Sequence, residues 1–398
     1  MPILAVVGIG MRDVDMKTAL VLYGATDLGS LHFSSDMLWR TRLKAPDGFW
    51  LVEIDGRAYA LVSALEYGRA KKEAVVEEVI LLERQRGEGS VSAVRDFLRR
   101  KKVTHIVIPD SFPYGMGREL TQSFCAEIRR PPFFPERARK SKWEIGEIVK
   151  VQRAGERAAS RAIDFLSDCA VRGHRVYSGK KIATSEMLRA IIDRALFDDG
   201  CLGLDTIASC GVEAADPHAV GRGPLLARQP IVLDIFPVSR DTHYYADMTR
   251  TVFKGEPSED LKNMYEAVRQ AQDAAIAKVR PGADGSAIHK GTARFFESRG
   301  YPTNFDKKPE GFIHGLGHGV GIDIHELPSL ASTSQILEEG NVVTVEPGLY
   351  YHRARRGARG RSPIPAAGIR LEDMVLVTKT GHKNLTQFPK TLAEVIIP

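Results

Sequence analysis

The chain has 398 residues, and because a domain typically holds about 150 residues, this length favours two domains. Its composition, 43% hydrophobic, 27% charged and 8% aromatic, is that of a globular protein and excludes general disorder, collagen and coiled coil. No apolar run approaches the roughly 18 residues that span a bilayer. The apolar stretch from Ile3 to Met11 lacks the basic flank and cleavage site of a signal peptide, so it predicts a first strand. We expect a cytoplasmic protein with no membrane partner.

The 56 basic and 50 acidic residues give a net charge of +6, and both signs are spread along the chain. One arginine-rich cluster stands out, formed by Arg353, Arg355, Arg356, Arg359 and Arg361. A cluster of this kind is usually a solvated loop, so we expect no nucleic-acid partner. The four cysteines lack metal-finger spacing and are expected to be reduced and mostly buried.

The first third of the chain predicts a separate α/β unit. Its predicted elements are strands at Ala19–Tyr23, Phe49–Ile54, Ala58–Ser63 and Val103–Pro109, and a helix at Ser90–Lys102. The segment from Arg129 to Lys142 follows, with three prolines and six basic residues, and it is typical of a domain boundary. We therefore expect a domain at 1–140 and a second at 141–398.

The second part of the chain mixes helices and strands in an irregular order, which favours an α+β class. Helices are predicted at Trp143–Gly173, Thr184–Asp198, Asp260–Val279 and Ser286–Arg299, with Ser286 as the N-cap of the last. Strands are predicted at Ile231–Phe236, Tyr244–Val252, Val342–Glu346 and Ile369–Thr378.

Four carboxylates fall in or beside these apolar strands: Asp234, Asp247, Glu346 and Glu372. A buried carboxylate must be paired, protonated or bound to a metal ion. For any single one, backbone amides or an arginine are the commoner partners. Four in one domain, together with the histidine-rich segment HGLGHGVGIDIHE at 314–326, favour a shared metal site. Two divalent cations would balance the four negative charges.

Four motifs occur in one order, namely ADMTRT at 246–251, GHGVGIDIHE at 317–326, TVEPGLY at 344–350 and GIRLED at 368–373. With them the chain from about 143 to 398 resembles the pita-bread metallopeptidases, which include methionine aminopeptidase, Xaa-Pro aminopeptidase and Xaa-Pro dipeptidase (prolidase). The first 140 residues resemble the creatinase-type α/β domain of the Xaa-Pro branch. The resemblance implies an α+β pita-bread fold and a metal-ligand set of Asp234, Asp247, His318, Glu346 and Glu372.

The same resemblance implies hydrolysis of the Xaa-Pro bond, most simply in Xaa-Pro dipeptides, by a hydroxide held between two divalent ions (Mn, Co or Zn). It implies that Glu346 shuttles a proton. It also implies that His325 and His218 act on the substrate, and that His314 and Arg370 help to bind it. Arg370 lies two positions before Glu372, so in one strand both side chains would share a face. Its guanidinium would there either bind a carboxylate of the substrate or, as an equal alternative, pair with a carboxylate of the metal site. Relatives of this type suggest a homodimer.

Two departures from the family pattern leave alternatives open. Asp234 and Asp247 are two positions further apart than usual, and because two is the strand period we keep Asp247 rather than Asp241 as the ligand. No arginine or lysine lies between Gly321 and His352, where prolidases hold the substrate carboxylate. Arg370 or the arginine cluster would have to supply that contact. An Xaa-Pro aminopeptidase acting on longer peptides therefore stays an alternative, ahead of a metal-free creatinase-like hydrolase or a non-catalytic peptide-binding protein.

Overall fold

The computed structural model describes residues 17–83, 89–303, 310–356 and 363–398. Within it the chain divides into two compact units, Met1–Pro135 and Glu136–Pro398. The division falls a few residues before the boundary predicted at 140, because Arg137 and Lys140 pair with Glu326 of the second unit. The strand predicted from Ile3 to Met11 lies outside the described residues, as do two arginines of the predicted cluster, Arg359 and Arg361.

The first unit is an α/β layer structure. Its elements are β1 (Thr18–Gly24), α1 (Ser35–Thr41), β2 (Phe49–Ile54), β3 (Arg57–Val62), α2 (Ala64–Glu73), β4 (Glu78–Leu81), α3 (Ser90–Arg100), β5 (His105–Pro109), α4 (Tyr114–Thr121) and β6 (Cys125–Arg129). The strands form one mixed sheet in the order β4-β3-β2-β1-β5-β6.

Both faces of the central strands are covered, which explains why β1, β2, β3 and β5 are mostly apolar, whereas the edge strands β4 and β6 are more exposed. Along β2, Trp50 and Val52 belong to one apolar cluster, whereas Phe49 and Leu51 belong to a second cluster. Alternate residues of a strand point to opposite faces, so the two clusters lie on the two sides of the sheet.

The second unit carries the predicted site. Its elements are α5 (Lys142–Ser167), β7 (Ala170–Arg172), β8 (Arg175–Ser178), β9 (Lys181–Ile182), α6 (Ser185–Asp198), β10 (Cys201–Leu202), β11 (Ile207–Cys210), β12 (Pro230–Ile235), β13 (Val238–Ser239), β14 (Met248–Lys254), α7 (Glu259–Ile276), α8 (Gly285–Ser298), β15 (Gly317–Gly319), β16 (Glu326–Leu330), β17 (Val342–Val345), β18 (Gly348–Tyr351), β19 (Ala367–Arg370), β20 (Asp373–Val377), β21 (His382–Asn384), α9 (Leu392–Val395) and β22 (Ile396–Ile397).

These strands form two main sheets, in the orders β11-β12-β14-β22 and β16-β15-β17-β20-β21, and a separate β18-β19 pair. The helices pack in pairs, α5 with α6 and α7 with α8. The mixture of helices and largely antiparallel sheets confirms the predicted α+β class. Among the described residues, no helix has both the length and the apolar composition needed to cross a membrane.

Two of the helix boundaries that differ from the prediction have a clear local cause. The first long helix ends at Ser167 rather than Gly173, because the chain after it turns at Gly173 into the β7-β8 hairpin. The last predicted helix begins at Gly285, and its N-cap is Asp284 instead of Ser286. The Asp284 carboxylate accepts a hydrogen bond from the Ser286 amide at 2.9 Å, which is the usual geometry of an N-cap.

Two predicted strands are interrupted at the carboxylates. The strand predicted from Tyr244 begins only at Met248, because the preceding segment is held elsewhere: the Tyr245 amide donates to the Gly321 carbonyl at 2.7 Å. The chain between β12 and β14 is therefore no simple hairpin, and the period-of-two argument for Asp247 does not apply. The strand predicted from Ile369 splits into β19 and β20, so Glu372 lies in the link between two different sheets.

Candidate metal centre

A cavity of about 910 Å³ lies inside the second unit, and every residue of the predicted site lines it. Asp234 projects from β12, and the other predicted carboxylates stand at the ends of strands: Asp247 before β14, Glu346 after β17 and Glu372 before β20. Strand ends from both main sheets thus meet at one wall of the cavity.

Three of these side chains form a compact group. Asp247, His318 and Glu372 each offer a ligand atom, and these atoms lie within 4.8 Å of one another. Glu346 adjoins this group, with its Oε1 3.3 Å from His318 Nε2. The segment that carries His318 lies tight against β17, because a Cβ on Gly317 would stand only 2.0 Å from the Thr344 carbonyl oxygen. The glycines of this segment therefore let the histidine approach the carboxylates.

Asp234 is held by a different partner. Its Oδ2 accepts a hydrogen bond from Arg370 Nη2 at 2.5 Å, and its Oδ1 lies 3.0 Å from the Thr249 hydroxyl. The same hydroxyl lies 2.8 Å from Glu372 Oε2 and accepts from Arg370 Nε at 3.1 Å. The two-residue spacing of Arg370 and Glu372 does bring both side chains to one place, although they do not share a strand.

Tyr350 and His314 continue this network on the other side of Arg370. The Tyr350 hydroxyl accepts from Arg370 Nη1 at 3.0 Å and lies 2.9 Å from His314 Nε2. His314 Nδ1 lies 2.7 Å from the Gly315 carbonyl oxygen, an acceptor, so this nitrogen carries the proton and the hydroxyl donates to Nε2. His314 Nδ1 is also 3.9 Å from Glu346 Oε2. Arg370 is thus occupied by protein groups on both sides.

The carboxylates carry more negative charge than their protein surroundings balance. Burial raises the pKa of Asp247 well above its usual range, and the charges of Asp234 and Glu346 raise it further. Burial likewise raises the pKa of Glu372, reinforced by Asp247 and Glu346. Among the described residues, one buried oxygen of Asp247 (Oδ1) and one of Glu372 (Oε1) have no hydrogen-bond partner. Bound cations would satisfy both oxygens and reverse the pKa shifts, so these residues fit a site for divalent metal ions.

Three histidines of the cavity, His314, His318 and His325, favour their neutral form. Burial lowers the pKa of His318, of His314 and of His325, and the neighbouring His318 lowers that of His325 further. A neutral imidazole is the form that binds a metal ion. The rings of His318 and His325 stand perpendicular, with centroids 4.3 Å apart, so His325 lies beside the ligand group. His325 and His218 are exposed residues that line the cavity, and the His325 ring is partly covered by His318.

Residues expected to grip a substrate carboxylate are placed less favourably. Arg355 forms an ion pair with Glu310, and none of the described members of the arginine cluster, Arg353, Arg355 and Arg356, lines the cavity. Among the described lining residues Arg370 is the one cationic side chain other than the histidines, and Asp234 already binds it. Asp241, the rejected alternative ligand, is exposed and lies outside the cavity lining.

Sequence reasoning missed three hydroxyl groups of the site. Thr249 bridges Asp234 and Glu372, Tyr350 joins Arg370 to His314, and the Thr344 hydroxyl lies 3.3 Å from Glu346 Oε1. All three lie within four residues of a predicted ligand in the motifs ADMTRT and TVEPGLY. That position in a motif was the only available signal, because hydroxyl residues are common on strands.

Comparison with known proteins supplies the family. The model of metallopeptidase family M24 matches residues 147–379. The chain belongs to this family. The Xaa-Pro dipeptidase of Pyrococcus horikoshii is 30% identical over 294 residues, which cover 72% of this chain and 74% of that protein. Membership confirms the predicted pita-bread metallopeptidase branch and, with it, a metal-dependent peptidase of the hydrolase class.

Solved structures show the same fold. The prolidase from Pyrococcus furiosus matches with a TM-score of 0.73 at 24% identity, covering 93% of this chain and 96% of that one. The X-Pro aminopeptidase from Thermotoga maritima matches with a TM-score of 0.74 at 22% identity, covering 94% and 97%. This M24 chain therefore shares the fold of a prolidase and of an aminopeptidase alike, and the fold does not distinguish the two activities.

Proposed function

We propose that this M24 peptidase hydrolyses the Xaa-Pro bond of small peptides, with Xaa-Pro dipeptides as its first substrate class. The observation that carries the proposal is the group of Asp247, His318 and Glu372, with Glu346 at its side and two unsatisfied carboxylate oxygens, in a cavity large enough for a peptide. The dipeptidase name of the P. horikoshii relative supports the Xaa-Pro specificity.

We propose Asp234, Asp247, His318, Glu346 and Glu372 as the ligands of two divalent ions, Mn, Co or Zn. Carboxylate oxygens with one imidazole suit these metals better than thiolate-seeking ones. Bound ions would act as Lewis acids that activate water and polarise the peptide carbonyl. Arg370 donates to one oxygen of Asp234 and the Thr249 hydroxyl contacts the other, so Asp234 would share its remaining lone pairs with a metal ion while Arg370 stays bound.

The protein groups divide the remaining work. Glu346 lies at the edge of the ligand group, where its carboxylate can carry a proton to the imide nitrogen of the leaving proline. His325, exposed beside His318, can donate a hydrogen bond to the carbonyl oxygen as negative charge develops there. His218 lies at the exposed edge of the cavity, a position suited to contact the substrate. Arg370 holds Asp234 in place, and His314 binds the Tyr350 hydroxyl that also contacts Arg370.

A second candidate is an Xaa-Pro aminopeptidase acting on longer peptides. One observation favours it: the cationic side chain that lines the described part of the cavity, Arg370, is already bound to Asp234 and Tyr350. A dipeptide presents its carboxylate on the proline itself, next to the scissile bond, whereas a longer peptide needs no cation there. Arg370 is therefore a weaker carboxylate ligand than its sequence position suggested.

The deciding experiment measures metal content and hydrolysis together. Protein stripped with a chelator is reconstituted with Mn, Co or Zn and assayed on matched Xaa-Pro dipeptides, Xaa-Pro-Yaa tripeptides and dipeptides without proline. We expect metal-dependent cleavage of the proline peptides, about two ions per chain and faster turnover of the dipeptides. Faster turnover of the tripeptides would favour the aminopeptidase. Loaded protein that cleaves no proline peptide would contradict the proposal.

A homodimer and a cytoplasmic location stay predictions from the sequence. Light scattering of the purified chain at several concentrations tests the first, and cell fractionation tests the second.

A further inference from the structure

The loop that carries His325 has little regular structure of its own. Its residues 321–325 lie between β15 and β16, and their backbone forms few bonds: the Gly321 amide donates to the Asp323 carbonyl at 3.1 Å, the Gly321 carbonyl accepts from the Tyr245 amide at 2.7 Å, and the Ile324 backbone bonds to His318. His325 is an exposed residue whose ring packs on that of His318. A further contact beneath the loop adds to these.

A buried carboxylate lies beneath the loop. The side chain of Glu326 is only 7% exposed, and its Oε1 accepts from the Asp323 amide at 3.1 Å. A Cβ on Gly321 would stand 2.4 Å from the same oxygen, so Gly321 and Asp323 both lie directly against this carboxylate. A group that fixes the Glu326 carboxylate therefore helps to fix the loop.

Two cationic side chains, Arg137 and Lys140, bind the Glu326 carboxylate. Arg137 Nη2 donates to its Oε1 at 2.6 Å and to the Asp323 carboxylate at 2.9 Å, and Lys140 Nζ donates to Oε2 at 2.7 Å. The Lys140 side chain is 2% exposed. Burial would raise the pKa of Glu326, but Lys140 and Arg137 outweigh it, so the pKa lies below its usual value. The Glu326 carboxylate is thus charged and held on both oxygens.

The cations themselves come from a segment with a fixed backbone. The Ala138 carbonyl accepts from Asn341 Nδ2 at 2.9 Å, and the Lys140 amide donates to the Gly340 carbonyl at 2.8 Å. The next residue, Ser141, is the N-cap of α5 in a capping box. The chain of contacts therefore runs from α5 and β17 through two cations to the carboxylate next to His325.

We propose that Arg137 and Lys140 are positioning residues of the active site, which act through Glu326 to fix the loop at 321–325 and so the ring of His325. The inference rests on the proposed function, in which His325 contacts the reacting carbonyl oxygen. A displacement of about 1 Å in a catalytic group can cost a large factor in rate even when the altered residue is remote.

The kinetic test compares the same substitution with and without His325. Glu326→Gln and Arg137→Gln should each lower kcat about tenfold with KM nearly unchanged, and the loss should shrink below about twofold in a His325→Ala background. Arg139→Gln is the matched control. It removes one positive charge from the same segment, but Arg139 is 64% exposed and pairs only loosely with Glu338, at 3.7 Å. It should leave kcat unchanged.

A second readout needs neither metal nor turnover. Imidazole resonances of isotope-labelled, metal-free protein are recorded by NMR, and the His325 signal is identified as the one lost in His325→Ala. Glu326→Gln should shift or broaden this signal, whereas Arg139→Gln should not move it. Should Arg137→Gln fail to fold by circular dichroism, Glu326→Gln carries the test alone, and Arg137→Lys should restore most of kcat.

The outcomes separate this inference from the proposed function. Equal fold losses in the wild-type and His325→Ala backgrounds, or a His325 signal that does not respond to Glu326→Gln, would overturn the positioning role. A wild-type protein that cleaves no Xaa-Pro peptide would overturn the proposed function, while the NMR measurement would still decide whether the cations fix His325.

Discussion

Glu372 and Asp373 are consecutive, nearly fully buried carboxylates with opposite surroundings. Burial raises the pKa of Glu372, and the charges of Asp247 and Glu346 raise it further. Burial would also raise the pKa of Asp373, but Arg250 and Lys390 outweigh burial, so this pKa lies below its usual value. The Asp373 carboxylate accepts hydrogen bonds from Arg250 Nη2 at 2.7 Å and from Lys390 Nζ at 2.8 Å. Glu372 lines the cavity, and one of its oxygens has no hydrogen-bond partner in the part of the chain that the structure describes.

The comparison shows that burial alone does not identify a metal ligand. A carboxylate among cations is a structural ion pair, and a carboxylate among other carboxylates requires a proton or a metal ion. Glu326, held by Arg137 and Lys140, belongs with Asp373, although it lies next to His325 at the active site. Asp247, Glu346 and Glu372 form the opposite class.

The largest expected effect comes from substituting a carboxylate that lies among other carboxylates. Asp247→Asn or Glu346→Gln should reduce turnover by about a thousandfold or more and reduce metal content, because each removes a charged ligand. Metal analysis and kcat on an Xaa-Pro dipeptide measure both effects, with circular dichroism to verify the fold. Asp241→Asn, at an exposed position, is the control and should be nearly silent. Normal metal occupancy with a wild-type rate would remove the substituted residue from the ligand set.

The next prediction compares the free energy of unfolding of metal-free protein after substitution of one carboxylate from each class. Asp373→Asn should lower the free energy of unfolding by about 3 to 5 kcal/mol, because Arg250 and Lys390 lose their buried partner. Asp247→Asn should instead raise it, because repulsion among the carboxylates decreases. Urea unfolding in the presence of a chelator measures both, and a change of the same sign in the two variants would refute the distinction.

The pH dependence of these two changes should also be opposite. The folded pKa of Asp247 is raised, so its ionisation opposes folding above the unfolded value of about 3.9, and the gain from Asp247→Asn should grow as pH rises from there. The folded pKa of Asp373 is lowered, so its contribution is present above about 3.9 and is lost as pH falls through the folded pKa. The cost of Asp373→Asn should therefore shrink in acid.

His325 belongs to neither class of carboxylate, and its substitution should have a smaller effect on turnover. His325→Ala should lower kcat and kcat/KM together by about 10² to 10³, the usual loss for one donor that stabilises the transition state. Steady-state kinetics on loaded protein measures the change. His382→Ala is the control, since His382 lies on β21 outside the cavity lining. An increase in KM alone would assign His325 to ground-state binding.

The smallest expected effect concerns Tyr350, which binds Arg370 beside the carboxylates of the proposed metal site. Tyr350→Phe removes the hydroxyl between Arg370 and His314 and should lower kcat about tenfold, the usual scale for a residue that orients site groups. Tyr351→Phe is the matched control, because this neighbour is equally buried and its hydroxyl lies 3.5 Å from the Pro302 carbonyl oxygen. Equal losses in the two variants would mean that Tyr350 acts through packing alone.

The sequence alone predicted the fold class, the family and a set of side chains that the structure places around one cavity. Buried strands leave carboxylates such as Asp234 conspicuous in an apolar run, and motif order carried the family resemblance. Both signals are patterns along the chain, so they can be recognised from the sequence without a structure. The roles of the individual site residues stay predictions.

Tertiary structure alone decided which partner each charged group meets. Asp234 pairs with Arg370 across 136 positions, and Thr249 reaches Glu372 across 123. The split of the predicted strand at Glu372 also depends on two sheets that meet there. Long-range strand pairing sets these contacts, and no local pattern records it. Adjacent Glu372 and Asp373 have the same charge and nearly equal burial in one short motif, and only the folded chain places carboxylates around the first and cations around the second.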